Sequence, residues 1–563
     1  MENEIRFVGK ILDNVHGFIY YTEAESKIID TLLFKRLQSI KQLSVADWVF
    51  PGSEHTRYIH SLGVMYIADK IAIQLKLSVK DRKIIRLAGL LHDIGHYPLS
   101  HVCEFPYRKD LESFPDDSFC KSINDTVEEK INSIDTDIAD DYMKKSSGFH
   151  HEQIGANIVL CNTEIRDIIV EECGEESPEI IADMIIGNIE HVNTNPLFVQ
   201  ILHSELDADG IDYLMRDAMF SGTSFGNFEL DQLIGCMTAH EYLGKPILCI
   251  TPKGIAAADQ YLINKFFSYS QVVYNKHISI TEWMAEQVVN WMQKNNAYFP
   301  RSNTLKSWVE CDETNNKYID FTDNYFWSSL QNLINNPLVD TEPNFIKLFC
   351  EQLLRHNELE YVKDSEVKYV LSDYSAIKDM IKASNSYQYL GHKDKFAIML
   401  ERNMTKQVRD DDFEKYLNSK FLPNREETDT NDEDNEFCEE DKDNLRIRRF
   451  MECVCICEND KLKLLCDDER SLMYTMYHLK LVILRFFSMP KNEKLTDLEK
   501  ADWQFVNQLF SLFVFIFFIV MLFFDLFNLC QEIFLRLVVR VIILASFFIL
   551  FLSLVPAIVK GIL

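Results

Sequence analysis

The sequence lacks a surplus of positive charge. Its 563 residues include 58 lysines and arginines against 87 aspartates and glutamates, which gives a net charge of -29. A basic face that holds nucleic acid is therefore disfavoured, and we expect no stable nucleic-acid partner. The 14 cysteines form no short disulfide framework, and the residues from Met1 to Arg6 show no signal-peptide pattern. Both features favour a reducing, cytoplasmic setting for the catalytic body.

Two C-terminal segments lack charge altogether. Residues Trp503 to Phe524 and Val541 to Val559 contain no Asp, Glu, Lys or Arg, and each is long enough to cross a bilayer as a helix. We therefore expect a hydrophobic hairpin over 503–563, with two transmembrane helices that attach the chain to a membrane. The alternatives are an oligomerisation hairpin buried in protein and a re-entrant or pore-lining hairpin.

The segment from His92 to His101 stands out among the residues that are present. It follows an apolar run, Ile84 to Leu91, that predicts a buried helix. A buried carboxylate such as Asp93 is costly unless it is paired or binds a metal. The adjacent imidazole of His92 could bind the same cation, and His60 lies on another predicted helix.

Asp209 completes a candidate set of two imidazoles and two carboxylates. It lies in an acid-rich helix, Glu205 to Tyr213, that can turn one carboxylate inward. Such a set suits iron, manganese, zinc or similar ions, so the identity of the metal stays open.

Composition and periodicity divide the chain into five parts. A chain of 563 residues is too long for a single hydrophobic core. An acidic low-complexity run also separates the helical regions from a segment with the periodicity of a β-hairpin. We predict a helical core, a helical satellite region, an acidic linker, a small α/β lobe and the hydrophobic hairpin, over 1–298, 299–424, 425–443, 444–490 and 503–563.

Four segments occur in an order that is specific to one family. They are His55–Val64, His92–His101, His151–Gln153 and Asp209–Asp217. The chain resembles the HD-domain phosphohydrolases, and among them the deoxynucleoside triphosphate triphosphohydrolases, in particular the mammalian SAM-and-HD-domain type without its SAM domain. The resemblance implies a mainly α fold: an HD-domain helical core, a small C-terminal α/β lobe and, in this chain, the two C-terminal hydrophobic helices.

The resemblance also implies roles for individual residues. The implied metal ligands are His60, His92, Asp93 and Asp209. The implied catalytic residues, with His101 as proton donor to the leaving oxygen, are His96, His101, His151 and Glu152. The residues implied to contact the phosphates or the sugar are Gln42, Leu43, Arg57, Tyr213, Asp217 and Tyr274.

The implied activity is hydrolysis of a dNTP to deoxynucleoside and triphosphate. It would use a divalent transition metal (Fe, Mn or Zn), with Mg accompanying the nucleotide, in a homo-oligomer, either a dimer or a tetramer. Depletion of dNTPs in defence against viruses or phage would follow by analogy. One alternative is a phosphohydrolase of nucleoside monophosphates or phosphodiesters. Another is a nucleotide-sensing HD body that controls a membrane-disrupting C-terminal effector.

The chain departs from the family pattern at positions where relatives have cations that bind the phosphates farthest from the sugar. Gly210 stands where relatives have a lysine, and Phe266 where they have an arginine. Lys265, Lys276 and His277 are candidates to replace them. The activator site of the family is also only partly present, through Asp30 and Arg36.

Overall fold

The computed structural model describes most of the chain up to residue 488. The described residues are 4–108, 150–189, 195–310, 315–336, 345–357, 360–371, 395–410, 413 and 439–488. The chain divides into two compact units, Met1–Met489 and Pro490–Leu563, and the described residues all belong to the first. The predicted boundaries between core, satellite region, linker and lobe stay predictions.

The N-terminal segment forms a hairpin followed by short helices. Strands Gly9–Asp13 and Gly17–Tyr21 pair antiparallel around a turn in which Gly17 has a φ of 72°. Thr22 then caps the next helix, because its hydroxyl accepts from the Glu25 amide while the Glu25 carboxylate accepts from the Thr22 amide. The residues from Glu23 to Leu43 have the periodicity of one helix, yet they form three pieces: Glu23–Asp30, Leu32–Lys35 and the 3-10 turn Arg36–Ser39.

The core is a bundle of helices around one large apolar cluster. Its helices are Arg57–Gln74, Val79–Leu91, His101–Arg108, His151–Cys161, Thr163–Cys173, Ser177–Ile186, Pro196–Leu202, Ala208–Ser221, Leu230–Gly235, Ile255–Ser268 and Lys276–Lys294. A π-helical turn, Tyr269–Val273, joins the last two.

Two glycines bring the site helices together. A Cβ on Gly89 would lie 3.1 Å from the Cα of Met65, so the helices that carry His60 and His92 cross closely. A Cβ on Gly95 would lie 2.9 Å from the Cα of Gly155, which presses the turn after His92 against the helix His151–Cys161. Larger residues at either position would separate the helices.

Two sheets complete the described unit. A four-stranded sheet orders Met237–Tyr242, Lys245–Ile250, Cys455–Glu458 and Lys461–Leu464, with parallel pairing at Ile250 and Ile456. The second sheet places Leu479–Ser488 between Glu360–Leu371 and Lys395–Asn403, both antiparallel to it. The first sheet joins a hairpin of the core to a hairpin of the predicted α/β lobe.

The remaining helices surround the core. They are Ser302–Glu310, Asn315–Ile319, Asp323–Ile334, Phe345–Leu354, Glu439–Glu452 and Met473–Met476. Three details differ from the sequence interpretation. The satellite region contributes two strands that were not predicted. The alternation from Arg446 to Cys457 is typical of a strand, yet the residues up to Glu452 form a helix. The residues over 470–479 have helical periodicity, but the helix spans only Met473–Met476.

The predicted fold class is wrong about the membrane. It included two transmembrane helices, but no helix within the described residues is both long and apolar enough to cross a bilayer. The described helix Lys276–Lys294, for example, spans 19 residues yet carries Glu282 and Glu286. The segment 503–563, to which we assigned the membrane helices, lies outside the described residues. The fold is therefore a mainly helical one to which no membrane helix is assigned.

Candidate metal centre and phosphate site

The turn from His92 to His101 is held in a strained shape. Leu99 and Ser100 have left-handed backbone, with φ of 50° and 55°, which non-glycine residues rarely adopt. The Leu99 amide donates to Asp323 at 2.7 Å, and the Ser100 hydroxyl donates to the Lys41 carbonyl at 2.7 Å. These bonds from two flanking segments fix the turn and therefore the direction of its histidines.

His60, His92 and Asp209 converge as a candidate metal centre. The Nε2 of His60 lies 2.9 Å from Asp209 Oδ1, and the Nε2 of His92 lies 3.8 Å from the same oxygen. Asp93 borders the group, with Oδ1 3.5 Å from His92 Nε2 and Oδ2 3.8 Å from His60 Nε2. All four predicted ligands thus point into one space.

Contacts behind the two imidazoles set their orientation. His60 Nδ1 lies 2.7 Å from Asp212 Oδ2, and His92 Nδ1 lies 2.8 Å from the carbonyl of Gly89. A carboxylate or carbonyl at Nδ1 favours a proton there, which leaves Nε2 as an electron-pair donor. This is the arrangement by which proteins present histidines to a metal.

The residues present fit a divalent metal. His92 Nε2 is buried and has no hydrogen-bond partner among the described residues, although it faces two carboxylates. A buried polar atom of this kind calls for a partner. Burial lowers the pKa of His92, which favours the neutral form that metal binding requires. Burial opposes the charge of His60 too, but Asp209 and Asp212 outweigh it and raise its pKa to about 10. A metal bound at His60 would therefore displace a proton, and the same two carboxylates would stabilise the metal's charge.

Asp212 anchors a network that the sequence analysis missed. Its carboxylate accepts from Arg216 Nε at 2.8 Å and lies 2.5 Å from His16 Nε2, and Arg216 also donates to Asp13 at 2.8 Å. The N-terminal hairpin thereby supports His60 through one fully buried carboxylate. The signal that could have found it is the spacing: Asp212 lies three residues after Asp209 on the same helix.

A second histidine cluster lies beside the first. His96, His101 and His151 offer ring nitrogens within 4.8 Å of one another, and the rings of His96 and His151 stack at 4.2 Å. His151 Nε2 lies 3.9 Å from Asp93 Oδ1, so the two clusters share a border. His101 is the exposed member, whereas His96 is fully buried.

Glu104 orients this second cluster. Its carboxylate lies 2.7 Å from His101 Nδ1 and 3.2 Å from His151 Nδ1, and it accepts from the His151 amide at 3.1 Å. Glu152, the residue implied for this role, lies 3.0 Å from His150 Nδ1 and 3.4 Å from His151 Nδ1. The sequence analysis missed Glu104, which lies three residues after His101 on one helix.

The charge states of the second cluster differ from one ring to the next. Burial opposes protonation of His151, but Glu152 and Glu104 outweigh it and raise its pKa to about 9. Burial, Arg57 and His151 together hold the pKa of His96 well below its usual value. His96 is thus neutral; its Nδ1 accepts from the Tyr97 amide at 3.2 Å, so its buried Nε2 carries the proton. That Nε2 has no hydrogen-bond partner among the described residues.

Arg57 and Gln42 lie at the edge of the candidate metal centre. The guanidinium of Arg57 donates to Asp93 at 2.8 Å and to the Ser100 hydroxyl at 3.0 Å. Arg57 therefore holds a predicted metal ligand in place, and its implied contact with phosphate stays a prediction. The side-chain oxygen of Gln42 is buried and has no partner among the described residues.

The implied sugar residues fall into two groups. Tyr213 and Asp217 share the helix of Asp209, and Asp217 Oδ1 lies 2.7 Å from His55 Nε2. Tyr274 ends the π-helical turn, with its ring 5.8 Å from that of Tyr269. Leu43 is half-buried against a separate small apolar cluster, formed by Val45, Ala46 and Ile278.

Gly210 and Phe266, the two positions that depart from the family pattern, have different surroundings in the structure. Phe266 is 1% exposed within the core, so it offers nothing to a phosphate. Lys265 lies beside Gly210, whereas Lys276 and His277 begin the helix Lys276–Lys294.

Neither of the two activator residues is a free ligand for a nucleotide. Arg36 is buried and donates to the His96 carbonyl at 2.6 Å and the Phe321 carbonyl at 2.6 Å. Asp30 pairs with Lys35 at 2.9 Å on the surface. Arg36 therefore braces the turn that carries His96.

Comparison with known proteins fits this site. Residues 57–193 match the family model of the HD domain. The chain is 30% identical over 279 residues to an uncharacterised protein of Methanocaldococcus jannaschii, which covers 50% of this chain and about half, 49%, of that relative. It is 43% identical over 99 residues to the deoxynucleoside triphosphate triphosphohydrolase SAMHD1 of Bos taurus, 16% of this chain and 17% of that protein.

A solved structure shares the fold. The crystal structure of a phosphohydrolase from Bacteroides thetaiotaomicron superposes with a TM-score of 0.54 at 18% identity, over 86% of this chain and 100% of that one. At this identity the likeness concerns the fold alone. The match over residues 57–193 identifies that part of the chain as an HD domain.

Proposed function

We propose that this chain is a metal-dependent phosphohydrolase that cleaves a deoxynucleoside triphosphate to deoxynucleoside and triphosphate. The observation that carries the proposal is the contact between two unlike histidine clusters. One presents electron pairs beside two carboxylates, and the other presents proton donors, with Asp93 Oδ1 and His151 Nε2 3.9 Å apart at their border. The similarity to the named triphosphohydrolase supports the substrate class.

The two clusters divide the chemistry between them. A divalent metal bound by His60, His92, Asp93 and Asp209 would supply an acidified water and polarise the phosphoryl group. The cationic His151 and the Nε2 proton of neutral His96 are suited to stabilise charge on the phosphoryl oxygens.

His101 would donate the proton to the departing 5′ oxygen. Its Nδ1 is engaged by Glu104 and its ring is exposed, so its Nε2 is available to substrate. The bond from the α-phosphorus to that oxygen breaks while the water oxygen bonds to phosphorus. The leaving deoxynucleoside takes up the proton.

The sugar specificity rests on the helix of Asp209. Tyr213, one turn beyond Asp209, is half-buried and would pack against the sugar, where a 2′ hydroxyl would clash. Asp217 would accept from the 3′ hydroxyl while His55 holds its other side. The homo-oligomer and the cytoplasmic location stay predictions.

Product analysis tests the proposal. The full chain is incubated with dNTPs, NTPs, deoxynucleoside monophosphates and cyclic nucleotides, each with iron, manganese, zinc or magnesium. We expect deoxynucleoside and inorganic triphosphate in equal amounts from dNTPs. Release of orthophosphate from monophosphates, without triphosphate from dNTPs, would contradict the proposal. It would favour a phosphohydrolase of nucleoside monophosphates or phosphodiesters, which the absence of cations at Gly210 and Phe266 would allow.

A further inference from the structure

The amine of Lys265 occupies the space that a side chain at position 210 would fill. A Cβ on Gly210 would lie 3.0 Å from Lys265 Nζ and would also collide with the Tyr261 hydroxyl. Lys265 comes from the helix Ile255–Ser268, which crosses the helix of Asp209 at this point. A cation is therefore present beside Gly210, the residue that follows the predicted metal ligand Asp209, although it is supplied by a different helix.

Arg402 approaches the same place from the satellite sheet. Its guanidinium stacks on the Tyr269 ring at 3.7 Å, and it interacts electrostatically with Tyr213 and Tyr274 as well. Lys265 Nζ lies 5.4 Å from the ring centre of Tyr213. Tyr213 is thus a common neighbour of both cations.

The two cations lack a close acidic partner. Lys265 donates to the Tyr261 hydroxyl at 3.2 Å, and within the described part of the chain no carboxylate lies within the 4.0 Å of an ion pair from Lys265 or Arg402. Burial opposes the charge of Lys265, but Tyr261 and Asp207 outweigh it and keep its pKa above the usual value, against a smaller opposing effect of Arg402. Asp207 favours the charge of Lys265 and Glu205 favours that of Arg402, but both act from beyond ion-pair distance. A phosphate that contacts the two cations would therefore displace no bound carboxylate.

We propose that Lys265 and Arg402 form a polyphosphate-binding site that holds the far phosphates of the nucleotide. The inference rests on the proposed function, because it assigns two residues of this chain to the phosphates of the proposed substrate that lie farthest from the sugar. Guanidinium and ammonium donors bind phosphate oxygens by charge-assisted hydrogen bonds. The site would replace the cations that are absent at Gly210 and Phe266.

Calorimetric titration with inorganic tripolyphosphate tests the site without requiring catalysis. The full chain is compared with Lys265→Met, Lys265→Arg and Arg402→Gln, and with Lys253→Met, an exposed lysine, as control. Because one charge-assisted bond is involved, Lys265→Met and Arg402→Gln should each weaken binding about tenfold. Lys265→Arg should stay within about threefold of wild type, and Lys253→Met should match it.

The outcomes separate this inference from the proposed function. If the variants keep the wild-type melting temperature and bind tripolyphosphate as tightly as wild type, or if wild type itself does not bind it, the site is refuted. If Lys265→Met does not fold, Lys265→Arg and Arg402→Gln decide in the same way. If wild type binds tripolyphosphate through both residues but hydrolyses no nucleotide, the site stands and the proposed activity falls.

Discussion

The segment from His92 to His101 contributes to two clusters in which the histidine rings have opposite surroundings. In the candidate metal centre, His60 and His92 have hydrogen-bond acceptors behind them and carboxylates in front. In the second cluster, His101 and His151 share the carboxylate of Glu104 at their Nδ1 atoms. Glu152 lies 3.4 Å from the same nitrogen of His151, and Asp93 Oδ1 lies 3.9 Å from His151 Nε2. One arrangement suits a cation and the other suits an anion.

The difference shows how the position of nearby carboxylates suits neighbouring histidines to different chemical roles. Carboxylates in front of an imidazole provide the negative charge that a divalent metal needs. A carboxylate behind an imidazole holds the ring and favours its charged form, which suits the other nitrogen to a phosphate oxygen. We therefore expect substitutions in the two clusters to have separable effects on metal binding and on turnover.

Replacement of His101 should produce the largest effect on turnover alone. His101→Ala removes the proposed proton donor, and general acid catalysis contributes roughly 10²–10⁴-fold, so kcat should fall by that factor. Steady-state kinetics with a dNTP measures it, with His240→Ala on the strand Met237–Tyr242 as control. A kcat within about threefold of wild type would show that another group donates the proton.

Replacement of Asp212 should weaken metal binding by a smaller factor. Asp212→Asn loses the charge that holds His60 Nδ1, and such supporting contacts contribute roughly 10–100-fold to metal affinity. Competition with a chelator measures the affinity. Asp69→Asn is the matched control, because Asp69 is also a buried carboxylate bound by arginines, Arg82 and Arg86. Equal losses in both variants would mean that Asp212 acts only on general stability.

Replacement of Glu282 should change stability and leave both clusters unaffected. Burial raises the pKa of Glu282 to about 8, and the nearby Glu286 adds to this effect. Between the usual value of 4.5 and 8 the folded chain binds more protons than the unfolded one, so stability falls as pH rises.

Glu282→Gln removes this dependence. Its melting temperature relative to wild type should rise by about 1 °C per kcal/mol gained between pH 5 and pH 9, because the unfolding entropy of so long a chain is large. Scanning calorimetry at the two pH values measures it, with the exposed Glu164→Gln as control. A difference that is the same at both pH values would contradict the raised pKa.

The site could be predicted from the sequence where it depends on local spacing. The predicted ligands His60, His92, Asp93 and Asp209 come from segments with recognisable patterns, and the structure brings them together. Glu104 was missed although its i, i+3 relation to His101 was visible.

Other features depend on contacts far apart in the chain. Arg402 lies on a strand whose partners are distant in sequence, so no local pattern places it near Tyr213. For the same reason the strand Glu360–Leu371, which pairs with Leu479–Ser488, was not predicted. The alternating residues from Arg446 suggested a strand, yet they form a helix whose buried Phe450 and Met451 pack on the core. Tertiary packing there outweighs local preference.

The metal content of two variants tests most directly whether the histidines divide into a metal-binding cluster and a phosphate-binding cluster. His92→Ala and His101→Ala are purified under the same conditions as wild type, and bound metal per chain is measured by mass spectrometry. The division predicts that His92→Ala loses the metal, whereas His101→Ala retains the wild-type amount despite its loss of turnover. Equal metal in both variants, or loss from His101→Ala, would contradict it.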